Sequence, residues 1–354
     1  MTPIEEIRAS LSEGEAALIT SGANRFYLTG FSSSAGEILV TRQKAYFIVD
    51  FRYIEAARAT VRSAEVILMQ SLAGQRQDLL AAAGVKTLYI ETETANVRAL
   101  AGYRAAHPAV TVSEDGRIDA LLHDLRSVKR SEEIAHIRAA QEMTDATFSY
   151  ILERIAVRRT EREIALDMEF YMRRLGSEGV AFDTIVVSGK NSSMPHGVPT
   201  DKPIARGDFI TMDFGAVSGG YCADMTRTVA VGEVSDLQRD VYETVLTAQE
   251  KALAAIRPGM RGVDVDRIAR EHIAAAGYDG FFGHGLGHSL GIEVHESPAC
   301  NTRDTTVLRE GTVMTVEPGI YLDGRFGVRI EDMVLLTENG AENLTHSKKE
   351  LMIL

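Results

Sequence analysis

Residues 207–231 read GDFITMDFGAVSGGYCADMTRTVAV. Apolar and β-branched residues recur on either side of Ser218, Gly219 and Gly220, the composition of two strands joined by a tight turn. A two-residue Ser218-Gly219 loop sets Asp213 and Asp224 directly opposite each other, with Cβ atoms about 5 Å apart on one face. Like charges so placed in an apolar hairpin destabilise it unless something positive lies between them. A metal ion meets that need, whereas either aspartate alone reads as a surface residue beside a turn.

Working outward, three further segments carry groups of the same chemistry. HGLGHSLGIEVHESP (284–298) holds His284, His288 and His295, three of the nine histidines within 12 positions. Gly283, Gly285, Gly287 and Gly291 argue against a helix there, so this is not the helical HExxH zinc motif. Such glycines let backbone approach a ligand closely. TVMTVEPGIYL (312–322) and GVRIEDMVLL (327–336) are apolar strand-like runs, each holding one glutamate, Glu317 and Glu331. A carboxylate inside a buried strand needs a compensating partner. For Glu331 the ordinary alternative is a salt bridge to Arg329, which shares its face two residues away on a strand. His196, in VVSGKNSSMPHGVP (186–199), reads by itself as an exposed loop histidine.

Asp213, Asp224, His288, Glu317 and Glu331 together supply four carboxylates and one imidazole. That set suits two hard or borderline divalent cations bridged by carboxylates. Such a pair activates water and clamps a carbonyl, the requirement for peptide hydrolysis without a covalent intermediate.

Composition narrows the alternatives. A chain of 354 residues, 45% hydrophobic and 25% charged, has the material for two globular domains. A net charge of −12 argues against nucleic acid or an anionic membrane as partner. Cys222 and Cys300 are too few for a disulfide framework or a thiolate metal site. MTPIEEIRASLSEGE lacks the apolar core of a signal peptide, and no apolar stretch reaches membrane-spanning length. A soluble cytoplasmic protein is expected.

Residues 1–125 alternate strand-like and helical runs, as an α/β layer domain does, and show no catalytic cluster. Strands are expected at AALIT (16–20), EILVT (37–41), AYFIVD (45–50), AEVILM (64–69) and KTLYIE (86–91), with helices at IEAARAT, QRQDLLAAA and NVRALAGYRAA. A boundary near DLRSVKRSEEIAHIRAA opens the second domain, 126–354, with Ser131 as helix N-cap. Helices follow at about 161–174, 237–256 and 263–275.

The order Asp, Asp, His, Glu, Glu in these contexts resembles the metallopeptidases of the pita-bread fold, family M24, over about residues 130–354. The first domain is similar to the creatinase-type N-terminal domain. That domain and the doubled histidine of HGLGH match the aminopeptidase P and prolidase branch; methionine aminopeptidases usually lack the domain. Creatinase and non-catalytic relatives lose ligands, and all five are present here.

The resemblance implies that Asp213 chelates one metal, that Asp224 and Glu331 bridge both, and that His288 and Glu317 complete the second. Glu317 is implied as proton shuttle. His196, His284 and His295 are implied as substrate groups, with Arg329 orienting Glu331 or approaching substrate. Oxygen-rich ligation with one imidazole suits Mn²⁺ best, with Co²⁺, Zn²⁺ or Fe²⁺ as alternatives. The implied partners are short proline-containing peptides, and the implied assembly is a homodimer whose N-terminal domain helps wall the active site. Some prolidases carry an arginine just after the proline of HExP, facing a dipeptide's carboxylate. Here Ala299 and Cys300 follow Pro298, which leaves Arg303 or Arg329 as substitutes. The expectation is therefore an Xaa-Pro aminopeptidase, with an Xaa-Pro dipeptidase as the alternative.

Overall fold

The computed structural model describes residues 1–354, which divide into two units, Met1–Arg126 and Ser127–Leu354. In the first unit the elements are α1 (Pro3–Ser10), β1 (Glu15–Ile19), α2 (Gly22–Thr29), β2 (Glu37–Thr41), β3 (Ala45–Val49) and α3 (Ile54–Thr60). They continue with β4 (Glu65–Leu68), α4 (Leu72–Ala82), β5 (Thr87–Ile90), α5 (Val97–Ala106), β6 (Thr111–Ser113) and α6 (Arg117–Ser127). The six strands form one sheet in the order β4-β3-β2-β1-β5-β6, antiparallel only at β1–β2 and β2–β3. Each strand expected from the sequence forms within two residues of its reading, because apolar β-branched runs there face a buried core. Helices α1, α2 and α6 and strand β6 were not expected. Helix α1 follows a capping box in which Thr2 and Glu5 satisfy each other's backbone N–H, with Pro3 at the first helical position.

The second unit begins with α7 (Ser131–Leu152) and α8 (Glu161–Leu175), then β7 (Ile185–Ser188), β8 (Phe209–Phe214), β9 (Val217–Ser218), β10 (Tyr221–Cys222) and β11 (Met225–Ala230). Helices α9 (Asp236–Ala255) and α10 (Gly262–Ile273) lead to β12 (Gly287–Ser289), β13 (Glu296–Cys300) and β14 (Val313–Val316). The unit ends with β15 (Gly319–Leu322), β16 (Phe326–Arg329), β17 (Asp332–Thr337) and β18 (Gly340–Asn343). Arg130, not Ser131, occupies the cap position of α7, and its N–H donates to the Glu133 carboxylate at 3.0 Å.

Strands β11-β8-β7 form one sheet and β13-β12-β14-β17-β18 another. Ile210, Met212 and Phe214 of β8 pack with Met225 and Val229 against α7 and α8. The period of two therefore turns Thr211, Asp213, Thr226 and Thr228 to the opposite face, where Thr211 and Thr228 hydroxyls meet at 3.0 Å. Helices α9 and α10 cover a second core that takes in Met314, Val316, Val328 and Val334.

The hairpin differs in register from the sequence reading. Ser218 pairs with Tyr221, so the two-residue loop is Gly219-Gly220. Both glycines have positive φ, 55° and 76°, which only glycine adopts at little cost. Their N–H groups donate to the Glu178 carboxylate at 2.6 and 3.1 Å. Moving the loop one residue shifts every pairing by two: Asp213 faces Thr226, and Asp224 stands diagonal to it.

No helix is long and apolar enough to cross a membrane.

Candidate active site

The strand-like runs holding the glutamates each break at the glutamate. Glu317 and Pro318 separate β14 from β15, and Ile330 and Glu331 separate β16 from β17. Val316 pairs with Asp332, and Gly319 pairs with Arg329. One register thus runs through both ladders and sets Glu317 opposite Glu331. At the break their N–H groups turn elsewhere, Glu317 to the carbonyl of Leu286 just before β12 at 2.7 Å and Glu331 to the Thr226 carbonyl of β11 at 3.1 Å. The cross-strand carboxylate pair expected in the hairpin is found here instead.

His288 is on β12, beside these breaks. Its Nδ1 lies 3.1 Å from the Ser289 carbonyl oxygen, which can only accept, so the neutral ring protonates Nδ1 and keeps the Nε2 lone pair free. Nε2 lies 3.3 Å from Glu317 Oε1 and 3.6 Å from Asp224 Oδ2. Asp224, His288 and Glu331 each offer a ligand atom within 4.8 Å of the other two.

Electrostatics in this cluster are those of a site built around positive charge. Burial, reinforced by Glu331, Asp213 and Glu317, raises the Asp224 carboxyl well above the carboxylate range. Burial, with Glu317 and Asp213, does the same to Glu331. Glu317 goes the other way: burial opposes ionisation, but the hydrogen bond and charge of His288 lower it to about 2. Burial likewise opposes charging of His288 and is outweighed by Glu317, so the ring is raised. Asp213 Oδ1 and Glu331 Oε1 are buried without a hydrogen-bond partner. Unpaired buried carboxylate oxygens beside a free imidazole nitrogen fit divalent metal ions as ligands.

Arg329 is bound differently from the expectation. Its Nη2 pairs with Asp213 Oδ2 at 2.5 Å rather than with Glu331. Its Nε donates to Thr226 Oγ1 at 3.0 Å, and Nη1 donates to Tyr321 Oη at 2.9 Å and the Pro195 carbonyl at 3.1 Å. Thr226 in turn donates to Glu331 Oε2 at 2.6 Å. The break at Ile330–Glu331 removes the shared strand face, and Thr226, opposite Asp213, joins arginine to glutamate instead.

The histidines separate by environment. His284 is engaged at both nitrogens, Nδ1 by the Gly285 carbonyl at 2.8 Å and Nε2 by Tyr321 Oη at 2.9 Å. Burial lowers the pKa of His284, against the pull of Glu317. His295 stands edge-to-face on His288, ring centroids 4.4 Å apart, and is lowered by burial and by the charge of His288. His196 is exposed. It lines the same pocket as the other two, a cavity of about 970 Å³ whose walls also include Asp213, Asp224, His288, Glu317, Arg329 and Glu331.

Several supporting residues escaped the sequence reading. Buried Glu161, at the start of α8, accepts from Ser188 N at 2.7 Å and Oγ at 2.8 Å and from Thr200 N at 3.1 Å and Oγ1 at 2.6 Å, closing the loop that carries His196. Asp266 and Arg270 grip the HGLGH turn through Leu286 N at 3.1 Å and the His284 carbonyl at 2.7 Å. Only the last pair had a local signal, opposite charges four apart on a helix. Thr226 and Tyr321 carry none.

Comparison with known proteins agrees with this geometry. The model of metallopeptidase family M24 matches residues 135–338, and that of the creatinase/prolidase N-terminal domain matches residues 4–138. An Xaa-Pro dipeptidase of Pyrococcus horikoshii is 38% identical over 340 residues, covering 96% of this chain and 94% of that protein. The structure is similar to an Xaa-Pro dipeptidase from Bacillus anthracis, with a TM-score of 0.95, 38% identity and 99% of each chain covered. It is also similar to an X-Pro aminopeptidase from Thermotoga maritima, with a TM-score of 0.91, 38% identity, and 98% and 100% coverage. The chain belongs to metallopeptidase family M24, with a creatinase/prolidase N-terminal domain ahead of a pita-bread metallopeptidase domain. It is a peptidase, and divalent metal is the cofactor of its family.

Proposed function

From membership of family M24 we propose that the protein is an Xaa-Pro dipeptidase with two divalent metal ions, Mn²⁺ the best suited. The observation that carries the reading is one pocket walled by five metal-type ligands and three histidines together. This reverses the order expected from the sequence, in which the aminopeptidase came first. The similar proteins from Pyrococcus horikoshii and Bacillus anthracis are dipeptidases. The pocket also offers a cation for a dipeptide's carboxylate. Of its arginines, Arg329 is bound to Asp213, Arg270 to Asp266 and Arg162 to Asp201. Arg303 alone has no partner for its guanidinium.

Asp213, Asp224, His288, Glu317 and Glu331 would hold the ions. When bound, divalent metal supplies Lewis-acid polarisation of the scissile carbonyl and lowers the pKa of water. Glu317 would be the base that accepts a proton on a carboxylate oxygen and delivers it to the departing proline nitrogen. His196 and His295 hydrogen-bond the substrate's carbonyl oxygen as charge develops there, and the ring of His284 bounds the proline pocket. Arg329 holds Asp213 in place. Short proline-containing peptides and a second copy of the chain are the partners of this reading.

Two observations favour the aminopeptidase reading, the absence of an arginine directly after Pro298 and the likeness to the X-Pro aminopeptidase from Thermotoga maritima. Matched kcat/KM values for Ala-Pro, Ala-Pro-Ala and Met-Ala peptides under one Mn²⁺ condition test the proposal. Preference for Ala-Pro supports the dipeptidase, preference for Ala-Pro-Ala supports the aminopeptidase, and cleavage of Met-Ala alone overturns both.

A further inference from the structure

We propose that Lys129 is a positioning residue for His295, acting through Glu296 and the turn that leads into the histidine. The proposal rests on the reading of His295 as a substrate group. Lys129 precedes α7, far in sequence from the site, and its side chain is 1% exposed. Its Nζ donates to Ser289 Oγ at 3.0 Å and pairs with Glu296 Oε2 at 3.1 Å. These two residues follow His288 and His295 directly, and they face each other across β12 and β13. The register slips beside them: His288 pairs with Ala299, whereas Ser289 pairs with Glu296. The ladder is therefore weakest where the strand bearing His288 meets the strand that begins directly after His295, and the ammonium bridges that point.

Glu296 passes the constraint on. Its second oxygen, Oε1, accepts from Glu293 N at 3.2 Å, inside the turn that ends at His295. Gly291 lies so close that a Cβ there would stand 2.9 Å from Oε1. The origin of the lysine is fixed as well, because its N–H donates to the Gly311 carbonyl at 2.9 Å. The ring nitrogens of His295 make no hydrogen bond within the protein, so its position against His288 depends on this turn. A buried ion pair is weak evidence for stability by itself, and its placement beside two site histidines points to orientation.

The test compares Lys129→Met, His295→Ala, their combination, and Lys129→Met/Glu296→Gln, reading kcat/KM on Ala-Pro, metal content and Tm. Lys129→Met is expected to lower kcat/KM about 10- to 100-fold with both metals retained. In the His295→Ala background the same change should alter kcat/KM by less than about twofold, because the group being positioned is gone. The doubly neutral Lys129→Met/Glu296→Gln should recover Tm relative to Lys129→Met without recovering kcat/KM. Losses that multiply in the His295→Ala background, or a doubly neutral variant with wild-type kcat/KM, overturn the proposal. An inactive-site role for His295 shows itself separately: His295→Ala then keeps full kcat/KM, and any loss in Lys129→Met belongs elsewhere.

Discussion

Glu317 and Glu331 stand opposite each other in one antiparallel register that crosses from the β14–β17 ladder into β15–β16. Both sit where the strands break, so their backbones bond outward while their side chains share the pocket with Asp224 and His288. Two carboxylates in cross-strand positions repel, and the repulsion falls away once cations lie between them.

Metal dependence is the first consequence. Chelation is expected to abolish hydrolysis of Ala-Pro, and Asp224→Asn or Glu331→Gln to remove both metal and activity, as read by elemental analysis beside a peptide assay. Full activity in a verified metal-free preparation would overturn the dinuclear reading.

The same carboxylates set a pH dependence in the metal-free protein. Asp224 and Glu331 have raised pKa values when folded, so they bind protons more tightly folded than unfolded. Their contribution to stability is fully present below about pH 4 and is lost as pH rises towards the folded values. Glu317, lowered to about 2, has the opposite sign and loses its contribution as pH falls through the acid range. Metal-free Glu331→Gln should therefore melt higher than metal-free wild type at pH 8. Equal Tm values at pH 8 would count against mutual repulsion.

Proton transfer separates from metal binding at Glu317. Glu317→Gln should lose activity even where metal remains, because an amide oxygen ligates weakly but cannot carry the proton. His196→Ala and His295→Ala should keep both metals and lower kcat. Loss of metal in either histidine variant contradicts the division into ligands and substrate groups.

Substrate length turns on Arg303. Arg303→Ala should lower kcat/KM for Ala-Pro about tenfold or more, while Ala-Pro-Ala changes little. Equal losses on both peptides would remove Arg303 as the carboxylate partner.

Stability near the site depends on Arg227, whose guanidinium pairs with Asp332 at 2.7 Å where both side chains are 1% exposed. Asp332 stays ionised although burial opposes it, because Arg227 and Lys349 outweigh that penalty. Arg227→Met leaves a buried carboxylate short of a partner and should cost about 3–5 kcal/mol in chemical denaturation. A cost below about 1 kcal/mol would place the pair among ordinary surface contacts.

The carboxylates that gather in the pocket were legible in the sequence because each interrupts a run that is otherwise apolar, and burying it without a partner is costly at any register. The glycine-rich histidine segment was legible for a similar local reason. Strands β1–β5 and helices α3, α8, α9 and α10 follow from periodicity that their own residues carry. What the sequence could not decide is which residues face each other. Gly219 and Gly220 tolerate positive φ equally well, so the loop could shift by one residue and exchange Asp224 for Thr226 opposite Asp213. Glu317 faces Glu331 only because two strand pairs share one register, a fact held in no single segment. Arg329 chose Asp213 over its sequence neighbour Glu331, and Lys129 reached Glu296 from 167 residues away. Such pairings are set by long-range packing, where local propensity is silent and geometry alone selects the partner.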